Sequence, residues 1–445
     1  MKTISHPISR REAIKAGAIA AAAFTIVPRH GLGGPGQTPP SEKLNIAAVG
    51  VGGMGSGDIR SVASQNIVAL CDVDEQTLAR NAKDFPKAKL YADFRKMLET
   101  QKDIDAVVVA TPDHNHAVVS IMAMKMGKHV HCQKPLTHSV FEARLMGNVA
   151  RESKVATQMG NQGQASESAR LIAETIWSGA IGAVREVHAG SNRFPPISPR
   201  GIRRPPETPP APSHLNWDLW LGPAPERPYH PTYHPFSWRG WWDFGTGVLG
   251  DIGCHQLSAV FKALKLGHPA SIEASSSNQQ CPPEIASQTA PLSSITRWVF
   301  PGEGDRAAVT ITWWDGGLKP PCPEEFEASA RFAEGDWLLI VGDKGKMYGD
   351  QIIPATKAKD VGAPPRVLPR SPGHYVEWIQ ACKGGASAGS NFVDHAAHLA
   401  EVVLLGNIAI RTKEKLLWDG SNLRFTNSET ANQLINPPYR SGWSV

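Results

Sequence analysis

The chain has 445 residues, 41% of them apolar and 20% charged, with a formal net charge of +5. That length exceeds one ordinary domain, and the composition is that of a folded globular protein rather than a disordered or fibrous one. So small a charge, without a dense Lys/Arg stripe, argues against a nucleic-acid partner.

In chain order, residues 1–34 are expected to lie outside the fold. Ser9-Arg10-Arg11-Glu12 precedes an Ala-rich apolar run from Ala16 to Val27, followed by a Pro/Gly-rich exit. Paired arginines before a weakly apolar segment are the pattern of a twin-arginine export signal. The alternative is a disordered basic N-terminus. The run is too short for a transmembrane helix, so no stable span is expected. This reading implies export to the periplasm. No clear A-x-A cleavage site is present, so the protein stays membrane-tethered if the signal is kept. Residues 35–42 read as a linker.

Residues 43–160 alternate strand and helix signals, which predicts a mostly parallel sheet covered on both faces. Leu44 to Val49 reads as a buried strand. It runs into Gly50, Gly52 and Gly55, spaced G-x-G-x-x-G, with Gly53 and Met54 inside the turn. A second strand, Ile67 to Leu70, ends at Cys71-Asp72, where a dinucleotide-binding unit places its acid. The first glycine permits a sharp turn, the second lets backbone N–H groups approach a pyrophosphate, and the third lets the next helix pack closely. Asp72 would accept hydrogen bonds from a ribose diol and repel a 2′-phosphate, which favours NAD over NADP. Further on, Ala106 to Ala110 is a strand ending at Thr111-Pro112, and a helix is expected over 116–126. His129 to Cys132 is a strand leading into Gln133-Lys134-Pro135. A helix over 140–153 and a strand from Val155 to Met159 complete the sheet.

Residues 161–445 change character. The stretch 194–236 is dense in proline, with Trp and Tyr interspersed, and is expected to be a long ordered loop without regular structure. A helix is expected from Asp251 to Leu264. Asp251 and His255, four residues apart, share one of its faces. Alternating apolar residues near 306–314 and 337–341 predict antiparallel strands, and a helix is expected near 392–412. The six cysteines are scattered without a C-x-x-C pair, which argues against a metal site. A Cys281–Cys322 bridge would need an oxidising compartment.

The glycine fingerprint, Thr111-Pro112…His116 with Lys134-Pro135, and Asp251-Ile-Gly-Cys-His255 together resemble the Gfo/Idh/MocA family of oxidoreductases over about residues 43–265. Trp217 to Pro223 and Trp238 to Gly245 are similar to its exported branch. The resemblance implies an α/β fold: an N-terminal Rossmann domain, then an α+β domain (161–445) with a large open, mostly antiparallel sheet. It also implies a homo-oligomer formed through that sheet. Lys134 is implied to contact substrate hydroxyls near the nicotinamide. Gln133 departs from the family's glutamate, and the lost charge should lower the Lys134 pKa relative to that pattern.

The resemblance makes Asp251 and His255 an acid/base pair beside Lys134. Without it, Asp251 fits a helix N-cap and His255 an ordinary packed residue. Thr111, Pro112, His116 and Gln133 are expected on the nicotinamide side, with Asn115 as a further candidate, whereas His114 reads as a surface residue. Asn161 and Gln162 are candidates for the nicotinamide ribose or the substrate. Trp238, Arg239 and Trp241 suit a carbohydrate, whose C–H faces stack on rings, or else a Trp-rich core.

The expected reaction is NAD-dependent oxidation or reduction of a sugar, polyol or glycoside. Free NAD is scarce outside the cytoplasm, so export calls for a tightly held NAD regenerated in each cycle. Coupled oxidation and reduction of two sugars fits that demand. So does redox-neutral glycoside cleavage through transient oxidation. A non-catalytic binding protein on the same fold is the competing class; it would not need Lys134, Asp251 and His255 together.

Overall fold

The computed structural model describes residues 42–192, 200–327 and 329–445. Residues 1–34, expected to be a twin-arginine signal, lie outside the described residues. From Asn45, six short strands alternate with five helices: β1 (Asn45–Val49), α1 (Met54–Ser61), β2 (Asn66–Cys71), α2 (Glu75–Ala82), β3 (Lys89–Tyr91), α3 (Phe94–Thr100), β4 (Ala106–Val109), α4 (His116–Lys125), β5 (His129–Cys132), α5 (Val140–Ser153) and β6 (Thr157–Met159). The strands form one parallel sheet in the order β3-β2-β1-β4-β5-β6. Every residue of β4, Ala-Val-Val-Val, is buried, as expected of a central parallel strand covered on both faces. Helix α5 opens with a capping box. Glu142 N–H donates to Ser139 Oγ at 3.3 Å, and the Glu142 carboxylate accepts from Ser139 N–H at 2.9 Å.

The second layer begins with α6 (Glu167–Trp177) and β7 (Val184–Ser191). Across the proline-rich stretch the described residues are irregular except for a short helix, α7 (Trp217–Leu221), capped by the Asn216 side chain. The helix expected from Asp251 begins earlier, as α8 (Gly247–Gln256), and is followed by α9 (Ser258–Leu264). Asp251 therefore sits inside a helix and is not an N-cap.

Strands β8 (Ser271–Ser276), β9 (Ser294–Phe300), β10 (Val309–Asp315), β11 (Asp336–Gly342), β12 (Lys346–Tyr348), β13 (Gln351–Ile353), β14 (Leu416–Asp419) and β15 (Arg424–Phe425) join β7 in a nine-stranded sheet. Its order is β13-β12-β11-β7-β10-β9-β8-β14-β15, and β7 with β10 is the parallel pair in an otherwise antiparallel array. Cys281 and Cys322 are both free.

Two helices from the late chain bind the layers together. In α10 (His374–Cys382), Trp378 and Ile379 pack with Ile46, Ala48, Ile59 and Val108, so this helix covers one face of the first sheet. Helix α11 (Ala397–Thr412) follows a π-helical turn at Phe392–Ala396. Together Phe392–Thr412 is long and apolar enough to cross a membrane by composition, but 78% of that window is buried, as befits a core helix. It lies between α5 and the second sheet. Arg144 on α5 grips Glu401 on α11 in two parallel hydrogen bonds of 2.7 and 2.8 Å. Burial pushes the Glu401 carboxyl up, but His268 and Arg144 override it and hold it below the ordinary range.

This pair gives a stability test. Glu401→Ala strands Arg144 against α11. The expected cost is about 3 kcal/mol, the low end for a broken buried pair because Arg144 keeps some solvent contact. Urea unfolding of the two proteins reads it. A depressed carboxyl stabilises above its unfolded pKa, so the difference should be full at neutral pH and shrink as pH falls through the folded pKa.

Candidate active site

The cradle starts at the end of β1. Gly50 has φ of +78°, and a Cβ there would lie 2.7 Å from the Ala110 carbonyl. Only glycine lets the turn pass so close to the end of β4. Gly55 packs equally tightly: a Cβ on it would run into the Gly50 carbonyl oxygen. Helix α1 then begins with no acidic side chain in its first turn, so its N-terminal dipole is uncompensated where an anion would sit. Gly50, Gly52, Gly53 and Met54 line one side of a cleft of roughly 610 Å³. Asp72, from the end of β2, lines it too. Asp72 accepts N–H bonds from Val51 and Asp74, both at 2.9 Å. Burial pushes its carboxyl up to about 6 against those N–H groups.

Beyond β4, Thr111 and Pro112 continue the cleft wall. Thr111 Oγ1 and Asn115 Oδ1 are buried without a hydrogen-bond partner among the described residues; the Asn115 oxygen is turned against Gly222. The two histidines of this turn stand otherwise than expected. His116 does not line the cleft. Its ring lies behind it, 2.7 Å from Pro135 O and 2.8 Å from Thr111 O. Burial lowers its pKa to about 4 against those two carbonyls, so the neutral ring donates to one of them and packs against the other. His114 is buried rather than on the surface, with Nδ1 3.2 Å from Phe244 O and Nε2 2.9 Å from Asn115 Nδ2.

Beyond β5, Lys134 reaches across to α8. Its Nζ donates to Asp251 Oδ1 at 2.6 Å and to Asp251 O at 3.0 Å. Burial works against both charges, yet each supports the other. Lys134 is held above its ordinary pKa by the Asp251 carboxylate, and Asp251 is held below its own by Lys134 and Arg239. A carboxylate from the second layer thus supports the Lys134 charge, whatever the glutamine at 133 removes relative to the family pattern. The lost glutamate also has a local reason. Gln133 Nε2 donates to both oxygens of the buried Asp58 carboxylate, at 3.0 and 2.9 Å, and Tyr375 OH donates to Asp58 Oδ1 at 2.6 Å. A glutamate at 133 would face a carboxylate. The Lys134–Pro135 peptide is cis.

Arg239 Nε lies 3.8 Å from Asp251 Oδ1, and its guanidinium is sandwiched between Phe236 and Trp238, 4.3 Å from each ring. All three residues line the cleft. Trp241 does not. It is 1% exposed in an aromatic core with Tyr233 and Phe244, and its Nε1 donates to Thr232 O. Asn161 is fully buried, its amide spent on Ser258 and Ser390. Gln162 faces Tyr375 OH at 3.5 Å and lies outside the cleft wall. His255 stands one turn after Asp251, half-buried, and its charge bears on Asp251.

The site also holds residues that spacing did not single out. Asp113 is a buried cleft residue whose carboxyl accepts from Thr246 Oγ1 at 2.8 Å. Burial, reinforced by Asp251, pushes its pKa up to about 7. Phe236 is the exposed aromatic of the cleft, and Trp443 closes one end. No motif marks any of the three.

Residues 44–161 match the oxidoreductase family with an NAD-binding Rossmann fold, Gfo/Idh/MocA. Residues 203–288 and 329–445 match that family's C-terminal α/β domain. The chain belongs to the Gfo/Idh/MocA family. It is 29% identical over 148 residues to an inositol 2-dehydrogenase of Rubrobacter xylanophilus, covering 32% of this chain and 42% of that protein. It is 25% identical over 154 residues to a levoglucosan dehydrogenase of Pseudarthrobacter phenanthrenivorans, covering 32% and 39%. The chain thus spans less than half the length of these curated relatives. Among solved structures it is similar to the WlbA dehydrogenase from Bordetella pertussis in complex with NADH and UDP-GlcNAcA. There the TM-score is 0.58 at 18% identity, over 85% of this chain and 99% of that one. At that identity the likeness shows the family fold.

The Gln133–Asp58 pairing is open to a charge test. Gln133→Glu should destabilise the protein by about 2 kcal/mol through facing carboxylates. Adding Asp58→Asn should restore most of the loss. Thermal melts of the two single variants and the double variant measure the coupling.

Proposed function

We propose that this chain carries out NAD-dependent oxidation or reduction at a hydroxyl-bearing carbon of a sugar, polyol or glycoside. The observation that carries this reading is that Lys134 lines the same cleft as the glycine cradle and Asp72, with Asp251, behind the cleft wall, gripping its ammonium at 2.6 Å. A dinucleotide would be held by Gly50–Gly55, the N-terminus of α1, Asp72 and Thr111. Bound there, it supplies the two-electron exchange. NAD is preferred over NADP because the Asp72 carboxylate disfavours a 2′-phosphate.

The remaining chemistry belongs to side chains. Lys134, with its ammonium fixed by Asp251, donates to the reacting oxygen and stabilises alkoxide character there. His255 exchanges the proton across the same helix face. Asp113, near about 7, is poised to do so at neutral pH. Phe236 offers a ring face to the sugar's C–H surface, with Arg239 donating to its hydroxyls.

The paired Arg10 and Arg11 support export by the twin-arginine route, hence a periplasmic location and a cofactor regenerated on the protein. Under that condition redox-neutral glycoside cleavage is the second reading. A homo-oligomer would form through the open face of the nine-stranded sheet; partial burial of Ile295 and Val299 there supports this reading.

Lys134→Ala and His255→Ala, made separately, should each lower kcat by about 100- to 10,000-fold while NADH binding stays within a few-fold. Steady-state turnover with a panel of sugars and glycosides, beside NADH fluorescence titration, measures this. Sugar turnover surviving both changes would place the chemistry elsewhere. NADH accumulating with product indicates a dehydrogenase; aglycone release without it indicates the glycosidase.

Asp72 gives a pH signature. Its carboxyl, raised to about 6 by burial, is ionised above that pH and neutral below it. The affinity for NADP relative to NAD should therefore rise as pH falls from about 8 to about 5. In Asp72→Asn the ratio starts higher and changes less. Equilibrium titration at both ends of the range checks it.

A further inference from the structure

The order of the first sheet gives the cleft two ends. Lys134 follows β5 on one side, whereas Asp72 follows β2 and Asp93 and Phe94 follow β3 on the other. Trp443 belongs to the second end. It lines the cleft together with Asp72, Asp93 and Phe94. Its ring centroid is 6.1 Å from that of Phe94, and the Arg95 guanidinium lies 4.6 Å over it. Asp72 marks the ribose of the adenosine half, so Trp443 stands where the purine would lie.

The segment that delivers Trp443 is fastened along its length. Tyr439 donates its hydroxyl to the buried Glu142 carboxylate. Arg440 donates from Nε to Gly222 O, from Nη1 to Asp218 Oδ1 and from Nη2 to Asp218 O, each at 2.6 Å. Both acceptor residues belong to α7 or its cap. The stretch leading into α7 is in turn zipped to the exit of β2. Asn216 N–H donates to Val73 O and Glu75 N–H to His214 O, both at 2.9 Å, and His214 Nδ1 lies 3.1 Å from Asp74 Oδ1. The open side of the adenosine end is thus crossed by two straps from outside the Rossmann layer, tied to each other through Arg440.

We propose that Trp443 is the stacking wall for the adenine of the dinucleotide, and that Arg440 positions it there and so slows cofactor release. This rests on the dinucleotide reading above. The indole offers a broad flat apolar face, and stacking on a base needs no base-specific hydrogen bond. A cofactor pressed between Asp72 and Trp443 can leave only when the 439–443 segment lets go. That is the retention an enzyme working away from a cofactor pool requires.

The test uses the full chain with three probes: NADH, ADP-ribose and reduced nicotinamide mononucleotide. Trp443→Ala should weaken NADH and ADP-ribose by about 10-fold and speed NADH release by a similar factor, with the mononucleotide unchanged. Trp443→Phe should recover most of the affinity. Arg440→Ala should speed NADH release in the same direction with a smaller loss of affinity. Circular dichroism and melting temperature establish that each variant is folded. Where Trp443→Ala fails to fold, Arg440→Ala and Trp443→Phe carry the test, and native release rates in Arg440→Ala overturn the proposal. Native NADH binding beside unchanged ADP-ribose affinity in folded Trp443→Ala overturns the role of Trp443 alone. A native protein that binds neither NADH nor ADP-ribose overturns the dinucleotide reading and this proposal with it.

Discussion

The ion pair between Lys134 and Asp251 is the constraint on which the site depends. Lys134 leaves the first sheet after β5, and Asp251 sits in the middle of α8, so the 2.6 Å contact spans both layers. Two charges taken out of water are tolerable only while they stay together. The pair therefore holds Lys134 in place on the cleft wall and keeps its ammonium charged. Around it the remaining charges fall in line. Arg239 lies on the far side of Asp251, stacked between aromatic rings that hold its plane. Asp113 keeps its proton to about 7 because it is buried and Asp251 beside it already carries a charge, against the opposing hydrogen bond from Thr246. Two neighbouring carboxyls thus differ in acidity, Asp113 raised and Asp251 lowered, and that separation makes room for both a fixed anion and a labile proton.

Much of the fold was legible from the residues because it rests on local rules. Apolar runs such as Ala106 to Val109 could only be buried strands, and the spacing of Gly50, Gly52 and Gly55 carries its own steric reason. The illegible parts depend on partners distant in the chain. His114 looked polar enough for the surface, yet its ring nitrogens are satisfied by Phe244 and Asn115 within an aromatic core. The acidity of Asp113 is set by its burial and then by Asp251, on a helix that begins at Gly247. Gln133 looked like the plain loss of a charge, but Asp58 supplies a carboxylate from the other side of the turn, and Tyr375 joins it from 317 residues away. The early start of α8 was hidden by Gly247 and Gly250, residues that ordinarily mark loops. Here Gly250 is needed because a Cβ would strike the Thr246 side chain.

The chain does not keep its two layers separate. Helix α10 arrives late in the sequence yet covers a face of the first sheet, and α11 wedges between α5 and the second sheet with Arg144 and Glu401 bridging the junction. Such interleaving makes relative motion of the layers costly, because it would expose apolar residues from both. A cleft built at that junction is correspondingly preorganised, and binding energy need not be spent on assembling it.

The nine-stranded sheet ends in β13, three residues long, and β15, two residues long. Short terminal strands offer few free N–H and C=O groups for another chain to pair with, which is how a broad open sheet avoids growing sideways into an aggregate. Lateral extension is thereby closed off, while the broad face of the array is untouched by that restriction. The fold directs any contact between copies toward shape-matched side chains on a surface and away from backbone ladders at a rim. Edge-to-edge growth of the sheet is what such an arrangement disfavours.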